Sequence, residues 1–509
     1  MFDFKGLISA LFSRKEQEGV HDLKSATLLM QELPESDILN AQIEIVKALQ
    51  QLNGNTQISL KERMRTVPYL DEKARGLQKH LVDIYYGRQI DTGATPQQVL
   101  PTLLAFWNDM GEAYRLCLKQ ASQTNARGLE EQLQRFSLRA MRYFGEHIKW
   151  AYLRYMEIDP RTWRRLNKLY QFAEQQGFAI APQNAYSDTP GETIRHEYIR
   201  ILMLALANPD KLQPEQIELI SEWLGHWSHR IDLEDQIRPN RQLFAVNIAG
   251  TSPPKRLRRD MVGENWRYWY TEALITHLKD VSEQLQRGVP PEHLELPEAS
   301  ATAANQELLR SLIDLWSRDT PAPIRKTERQ LTSKKVLVQR GFAQVLRRYT
   351  EPDKTAPRGS LQQWEVVNES ATGLGVRYQS LIDDQLLVGE LIGISDAPET
   401  PPSIAIVRRI NKRLDGQVLV GIETLTHTPI LVELAELQGG GARKALYSPE
   451  NTTAYQSRFL MVALEDFAEQ REYRLAAQGK AYRIRLSPAL ERTTSCMLAN
   501  FAVLEKLDN

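Results

Sequence analysis

Trp364-Glu365-Val366-Val367-Asn368-Glu369-Ser370-Ala371-Thr372-Gly373-Leu374-Gly375-Val376-Arg377-Tyr378 is the stretch on which the fold turns. Two apolar runs, Trp364–Val367 and Leu374–Tyr378, flank a polar segment that closes on glycine, which is the pattern of two strands joined by a turn. The same short period recurs on both sides. Candidate strands are Val336–Val338 before it and Leu386–Ile394, Ile404–Ile410 and Gln417–Ile422 after it. Past a break at Gly439-Gly440-Gly441 come Phe459–Leu464, Tyr482–Leu486 and Met497–Leu504. In the second of these, Tyr482, Ile484 and Leu486 alternate with Arg483 and Arg485, as in a half-buried strand. Many short strands at this spacing predict a barrel or sandwich.

Upstream the period is helical. Leu129, Leu133, Phe136, Ala140, Phe144, Ile148 and Tyr155 mark one stripe of a long amphipathic helix, and Leu70, Ala74, Leu77, Leu81 and Ile84 mark another. Ile217, Ile220, Trp223, Leu224 and Trp227 follow Pro214, which suits a first helical turn. A short strand, Leu243 to Ile248, precedes the basic run Lys255–Arg259. Trp266, Trp269, Tyr270, Ala273, Leu274, His277, Leu278 and Val281 then read as a further helix, its aromatics turned into core. Residues 288–304, rich in Pro, Glu and Ala, read as a linker. The fold class is therefore α+β multidomain. A helical domain spans 1–235, a connecting segment 236–319, a β domain, barrel or sandwich, 320–435, and a β-rich extension 436–509.

The 509 residues, 42% hydrophobic and 25% charged with a net charge of zero, describe an ordinary globular chain with no global attraction to nucleic acid or anionic membrane. Cys117 and Cys496 form no metal or disulfide pattern, so a reducing, cytoplasmic setting is expected. No run is long and apolar enough to span a membrane. The opening Phe2, Phe4, Leu7, Ile8, Leu11 and Phe12 read as a short amphipathic helix packed on the protein, with docking to a partner or membrane surface as the alternative. His226-x-x-His229 and His196-Glu197 lack a third ligand at zinc spacing, so no metal and no cofactor is expected. No nucleophile elbow, phosphate loop or dinucleotide fingerprint is present, and no enzyme is expected.

Two motifs remain. Arg325 and Arg329 stand four apart just before the first strand, and Asn368-Glu369-Ser370-Ala371-Thr372-Gly373 follows. Together they resemble the PilZ domain, whose signature is R-x-x-x-R followed by [D/N]-x-S-x-x-G, over about residues 320 to 430. The resemblance implies that residues 320–435 form a PilZ-like antiparallel β-barrel and that the chain is a non-catalytic receptor for cyclic di-GMP, controlling motility, surface attachment or biofilm formation through a protein partner met by the helical region. Arg325 and Arg329 would grip phosphate and guanine, and Asn368, Ser370 and Gly373 would line the opposite side. The chemistry is apt: guanidinium forks meet phosphate and guanine O6/N7 bidentately, and an Asn–Ser pair can accept from guanine's donor edge.

The 38 residues between Arg329 and Asn368 exceed the family's usual interval. The polar stretch Thr350–Gly359 would account for this as an enlarged hairpin loop; otherwise Arg340, Arg347 and Arg348 become rival ligand-gripping arginines. Two other readings stay open. One is a PilZ-like scaffold that binds no ligand. The other is nucleic-acid binding through the basic segment 325–348, although no stable nucleic-acid complex is expected from the charge balance.

Overall fold

The computed structural model describes residues 19–34, 36–88, 94–124, 127–238, 240–318, 330–351, 361–379, 385–437, 441–449 and 458–507. Two compact units divide the chain: Met1–Pro209 with Pro214–Pro321, and Asp210–Gln213 with Ala322–Asn509.

The first unit is built on helices α1 (Leu23–Glu32), α2 (Ile38–Gly54), α3 (Leu60–Tyr85), α4 (Pro96–Gln123), α5 (Glu130–Leu153), α6 (Pro160–Gln175), α7 (Ile194–Leu206) and α8 (Pro214–Trp227). Local signals start them. Asp22 and Ser25 form a capping box on α1, and Asp159 accepts from Arg161 N ahead of Pro160 on α6. The stripes read from sequence face inward: Leu133, Phe136, Ala140, Phe144 and Ile148 of α5 are all buried, as are Ile217, Ile220, Trp223, Leu224 and Trp227 of α8. Between α6 and α7 the small hairpin β1 (Gln183–Asn184) and β2 (Gly191–Glu192) is anchored by a buried carboxylate. Asp71 accepts from Tyr114 Oη at 2.5 Å, from the hydroxyls of Tyr143 and Tyr186, and from Arg139 Nη1 at 3.2 Å.

After α8 the reading needs correction. Phe244–Asn247 (β3) is a strand, as its apolar run implies, but Trp266–Trp269 (β5) is a strand too, not the start of a helix. β5 pairs with β3 along its length, and Lys255–Arg256 (β4) pairs with β3 on the other side, to make a three-stranded sheet. The aromatics at 266 and 269 have helical spacing, but the backbone of 266–269 is paired with β3 and, at Tyr268, with Glu234, and helix α9 begins only at Glu272 (Glu272–Gln286). The stretch 288–304 is no open spacer either. Two 3₁₀ turns, Pro291–Leu294 and Glu298–Ala301, lead into α10 (Ala303–Trp316); Pro291, Leu296 and Ser300 are buried, and Trp223 Nε1 donates to Ser300 Oγ at 2.9 Å.

The second unit holds two closed antiparallel barrels of six strands each. The first comprises β6 (Gln330–Arg340), β7 (Leu361–Ser370), β8 (Gly373–Gln379), β9 (Leu391–Ser395), β10 (Ser403–Lys412) and β11 (Gln417–Thr426), in the order β10-β11-β8-β7-β6-β9. Val336, Val338, Trp364, Val366, Val376, Ile404, Val418 and Val420 are buried, and Trp364 stacks on Tyr378 with ring centroids 4.6 Å apart. Closure leaves no edge strand exposed. Between β6 and β7 the insertion carries a helix, α11 (Phe342–Thr350), entered through Gly341 at φ +79°. Residues 352–360, the heart of the expected hairpin loop, lie outside the described residues.

The strands beyond residue 429 make a barrel of their own. They are β12 (Ile430–Glu436), β13 (Arg443–Ser448), β14 (Phe459–Ala463), β15 (Glu472–Ala477), β16 (Lys480–Arg492) and β17 (Cys496–Leu507), in the order β12-β13-β14-β17-β16-β15. Numbered one to six in chain order, the strands of both barrels run 1-2-3-6-5-4 around the closed circle. The second barrel thus repeats the topology of the first. A single apolar core joins them, made of Phe342 and Val345 from α11, Leu391, Ile404, Ile406 and Leu425 from the first barrel, and Leu446, Phe459, Met461, Cys496 and Leu498 from the second. Arg408, held by Glu423 at 2.6 Å and Glu491 at 2.8 Å, adds a polar clasp.

Candidate functional site

The β7–β8 hairpin positions the motif. Ser370 and Gly373 are its last paired residues, and Ser370 Oγ donates to Gly373 O at 3.2 Å across the Ala371–Thr372 turn. Thr424 N donates to Thr372 O at 3.0 Å, which ties the turn to β11. Gly373 is required here by close approach, not by dihedral angle. A Cβ on it would fall 2.0 Å from Ile422 O and 3.2 Å from Glu423 Cα, both backbone atoms of β11.

Residues 373, 375 and 377 share one face of β8. It is the outer face, because the next pair along, Arg377 with Glu365, forms an exposed double hydrogen bond at 2.8 and 2.9 Å. The Arg377 guanidinium holds the Glu365 carboxyl below the usual carboxylate range. The inward pair Val366–Val376 is buried. A bulge between Val366 and Asn368 then sets Asn368 opposite Gly375. Asn368 Oδ1 is buried and finds no hydrogen-bond partner among the described residues. An acceptor left so costs about 1–3 kcal/mol unless a donor reaches it.

On the other side of β7, Gln330 stands opposite Glu369 and Leu331 opposite Asn368. Lys334 pairs with Glu369 at 3.0 Å. The chain therefore enters the barrel beside the Asn–Ser–Gly turn, one residue after Arg329. Arg325 and Arg329 themselves lie outside the described residues. The rival arginines sit elsewhere. Arg340 ends β6 ten residues from Gln330, roughly 30 Å along the strand, and forms a two-pronged ion pair with Glu390 at 2.9 Å. Arg347 and Arg348 follow on α11, where Arg348 donates to the carbonyls of Pro398 and Thr400. The structure thus brings Asn368, Ser370 and Gly373 into one turn and brings none of Arg340, Arg347 and Arg348 to it. Gly375 lies outside the motif that the sequence displays. Its signal was a second glycine two residues after Gly373, inside a strand where glycine is disfavoured.

Residues 339–429 match the family model described as "Cyclic-di-GMP receptor FimW, middle PilZ domain". The first barrel is a PilZ-like domain. The matched span contains the Asn368–Gly373 turn and begins after Arg325 and Arg329. The resemblance also reaches further than the C-terminal part to which sequence motifs confined it, since residues 24–239 match the N-terminal domain model of the same receptor. Over 473 residues the chain is 21% identical to the cyclic-di-GMP receptor FimW of Pseudomonas aeruginosa, covering 77% of this chain and 75% of the relative. No solved structure gives a significant match.

The other candidates raised by the sequence are histidines of the first unit. His196 Nδ1 lies 2.9 Å from Glu192, and its ring is 6.3 Å from that of His229. No group of three or more His, Cys, Asp or Glu residues is placed to hold a metal among the described residues. Among the same residues no helix is long and apolar enough to cross a membrane.

Proposed function

We propose that this chain is a non-catalytic cytoplasmic receptor that binds cyclic di-GMP on the outside of its first barrel. The observation that carries the reading is the start of β6 at Gln330, opposite Glu369 and beside the Asn368–Gly373 turn, one residue after Arg329 in the sequence. Arg325 and Arg329 grip phosphate and guanine O6/N7, for which a guanidinium fork is suited. Asn368 and Ser370 meet the donor edge of guanine, and the buried Asn368 Oδ1 gains the partner it lacks among the described residues. Hydrogen bonds involving charged groups contribute roughly 1.5–3 kcal/mol each, so three or four go far towards the roughly 8 kcal/mol of micromolar affinity.

The similarity of residues 24–239 to the N-terminal domain of a cyclic-di-GMP receptor supports giving the helical region a share in the output. In this reading ligand binding reshapes the arginine-bearing linker, and the message passes to a protein partner that controls motility, attachment or biofilm formation. It does so only if the ligand favours one arrangement of that segment over another. The test is calorimetric titration of Arg329→Ala and Ser370→Ala variants with cyclic di-GMP. Each is expected to bind at least tenfold more weakly with an unchanged melting temperature. Wild-type affinity in both would show that the ligand is held elsewhere.

A further inference from the structure

Gly375 lies outside the N-x-S-x-x-G signature, yet the barrel places it directly opposite Asn368. Its backbone is not in the left-handed region, so no dihedral angle asks for glycine. The nearest neighbours of a Cβ built on Gly375 all belong to the Asn368 carboxamide, at 2.6 Å from Oδ1, 2.7 Å from Nδ2 and 2.9 Å from Cγ. This differs from Gly373, whose Cβ would strike the β11 backbone. A glycine inside a strand weakens it, and one that packing does not demand marks a place where something else must approach.

We propose that Gly375 is a positioning residue for ligand recognition, holding the Asn368 carboxamide flat against β8 so that Oδ1 accepts from the guanine donor edge. This rests on the cyclic di-GMP reading given above. The mechanism is steric. With only hydrogen on Gly375, the carboxamide lies across the strand, its Oδ1 buried and unpaired among the described residues. An alanine methyl there occupies the space of the amide itself. The Asn368 side chain is short and turns away about χ1 and χ2, which removes Oδ1 from its place while the backbone ladder stands. Gly375 thus acts through Asn368 and not by touching ligand.

The test is a double-mutant cycle read by calorimetric titration of the full chain with cyclic di-GMP, each variant also melted. Gly375→Ala and Asn368→Ala are each expected to bind about tenfold more weakly than wild type. The double variant is expected to lose the same tenfold, because once the carboxamide is gone the methyl has nothing to displace. Should Gly375→Ala not fold, the double variant still folds, since it lacks the clash, and it then binds as Asn368→Ala does. Four results overturn the inference. These are a Gly375→Ala affinity within twofold of wild type, a roughly hundredfold additive loss in the double variant, a double variant weaker than Asn368→Ala, or a double variant that fails to fold. A wild-type chain that takes up no cyclic di-GMP removes the receptor reading, and this inference falls with it.

Discussion

Replacing Gly373 by alanine separates a glycine the fold needs from one the ligand needs. The added methyl would stand 2.0 Å from Ile422 O, 3.1 Å from Ile422 C and 3.2 Å from Glu423 Cα. A carbon and an oxygen do not approach much closer than about 3.2 Å without strain, so β8 and β11 must part by roughly an ångström. That shift falls on the start of the ladder, where Gly373, Leu374 and Gly375 pair with Glu423, Ile422 and Gly421. Overpacking costs about 1–3 kcal/mol and one weakened backbone hydrogen bond about 1 kcal/mol more, together roughly 2–4 kcal/mol. For a unit of this size each kcal/mol lowers the melting temperature by about 2–4 °C, so a drop of roughly 4–16 °C is expected. Differential scanning calorimetry of the full chain reads it, with Gly375→Ala melting within about 2 °C of wild type as the contrast. A Gly373→Ala chain that melts with wild type would refute the reasoning, because the contact with β11 would then not exist.

Three further outcomes follow from the same geometry. Arg340→Ala should leave cyclic di-GMP affinity within twofold, because Arg340 is held by Glu390 at the far end of β6; a tenfold loss by calorimetry would restore it as a ligand residue. Asp71→Ala removes the buried acceptor shared by Arg139 and three tyrosine hydroxyls in the helical core. Breaking such a buried pair costs about 3–5 kcal/mol, read as a loss in chemical denaturation, and a change under 1 kcal/mol would contradict it. Cys117 and Cys496 are buried, and burial pushes both thiols from 9.0 up to about 12. Neither should react with a thiol reagent at pH 8 until the chain unfolds. The folded state holds these protons where the unfolded state releases them, so stability falls as pH rises from about 9 towards 12. The slope is about 1.4 kcal/mol per pH unit per thiol, and a stability flat with pH over that window would contradict it.

The local parts of this structure are legible in the sequence, and the long-range parts are not. The α5 and α8 stripes read correctly because burial on one helix face imposes its own period. The Asn368–Gly373 turn reads correctly because a turn is written in adjacent residues. Trp266 and Trp269 mislead because a three-residue spacing mimics a helix, and only pairing with β3 shows otherwise. Phe342, Val345, Leu346 and Tyr349 do carry a helical period, but they sit where a strand and an enlarged loop claim attention. Strands β12, β13 and β15 escape notice because charged residues such as Arg443, Lys444, Glu472 and Arg474 interrupt their apolar faces. Closure of a second barrel depends on pairs such as Glu433–Ala476, distant in sequence. The site divides the same way. The glycine of the signature is visible, whereas Gly375 acquires its meaning only when β7 and β8 set it against Asn368.

The second barrel shares the strand order of the first, but its link between second and third strands, residues 449–458, reads Pro-Glu-Asn-Thr-Thr-Ala-Tyr-Gln-Ser-Arg and carries no such signature. Ligand is therefore expected on one barrel alone. Calorimetric titration of the wild-type chain with cyclic di-GMP tests this most directly. A single class of site with micromolar or tighter affinity is expected. An absence of heat at several hundred micromolar ligand would contradict it.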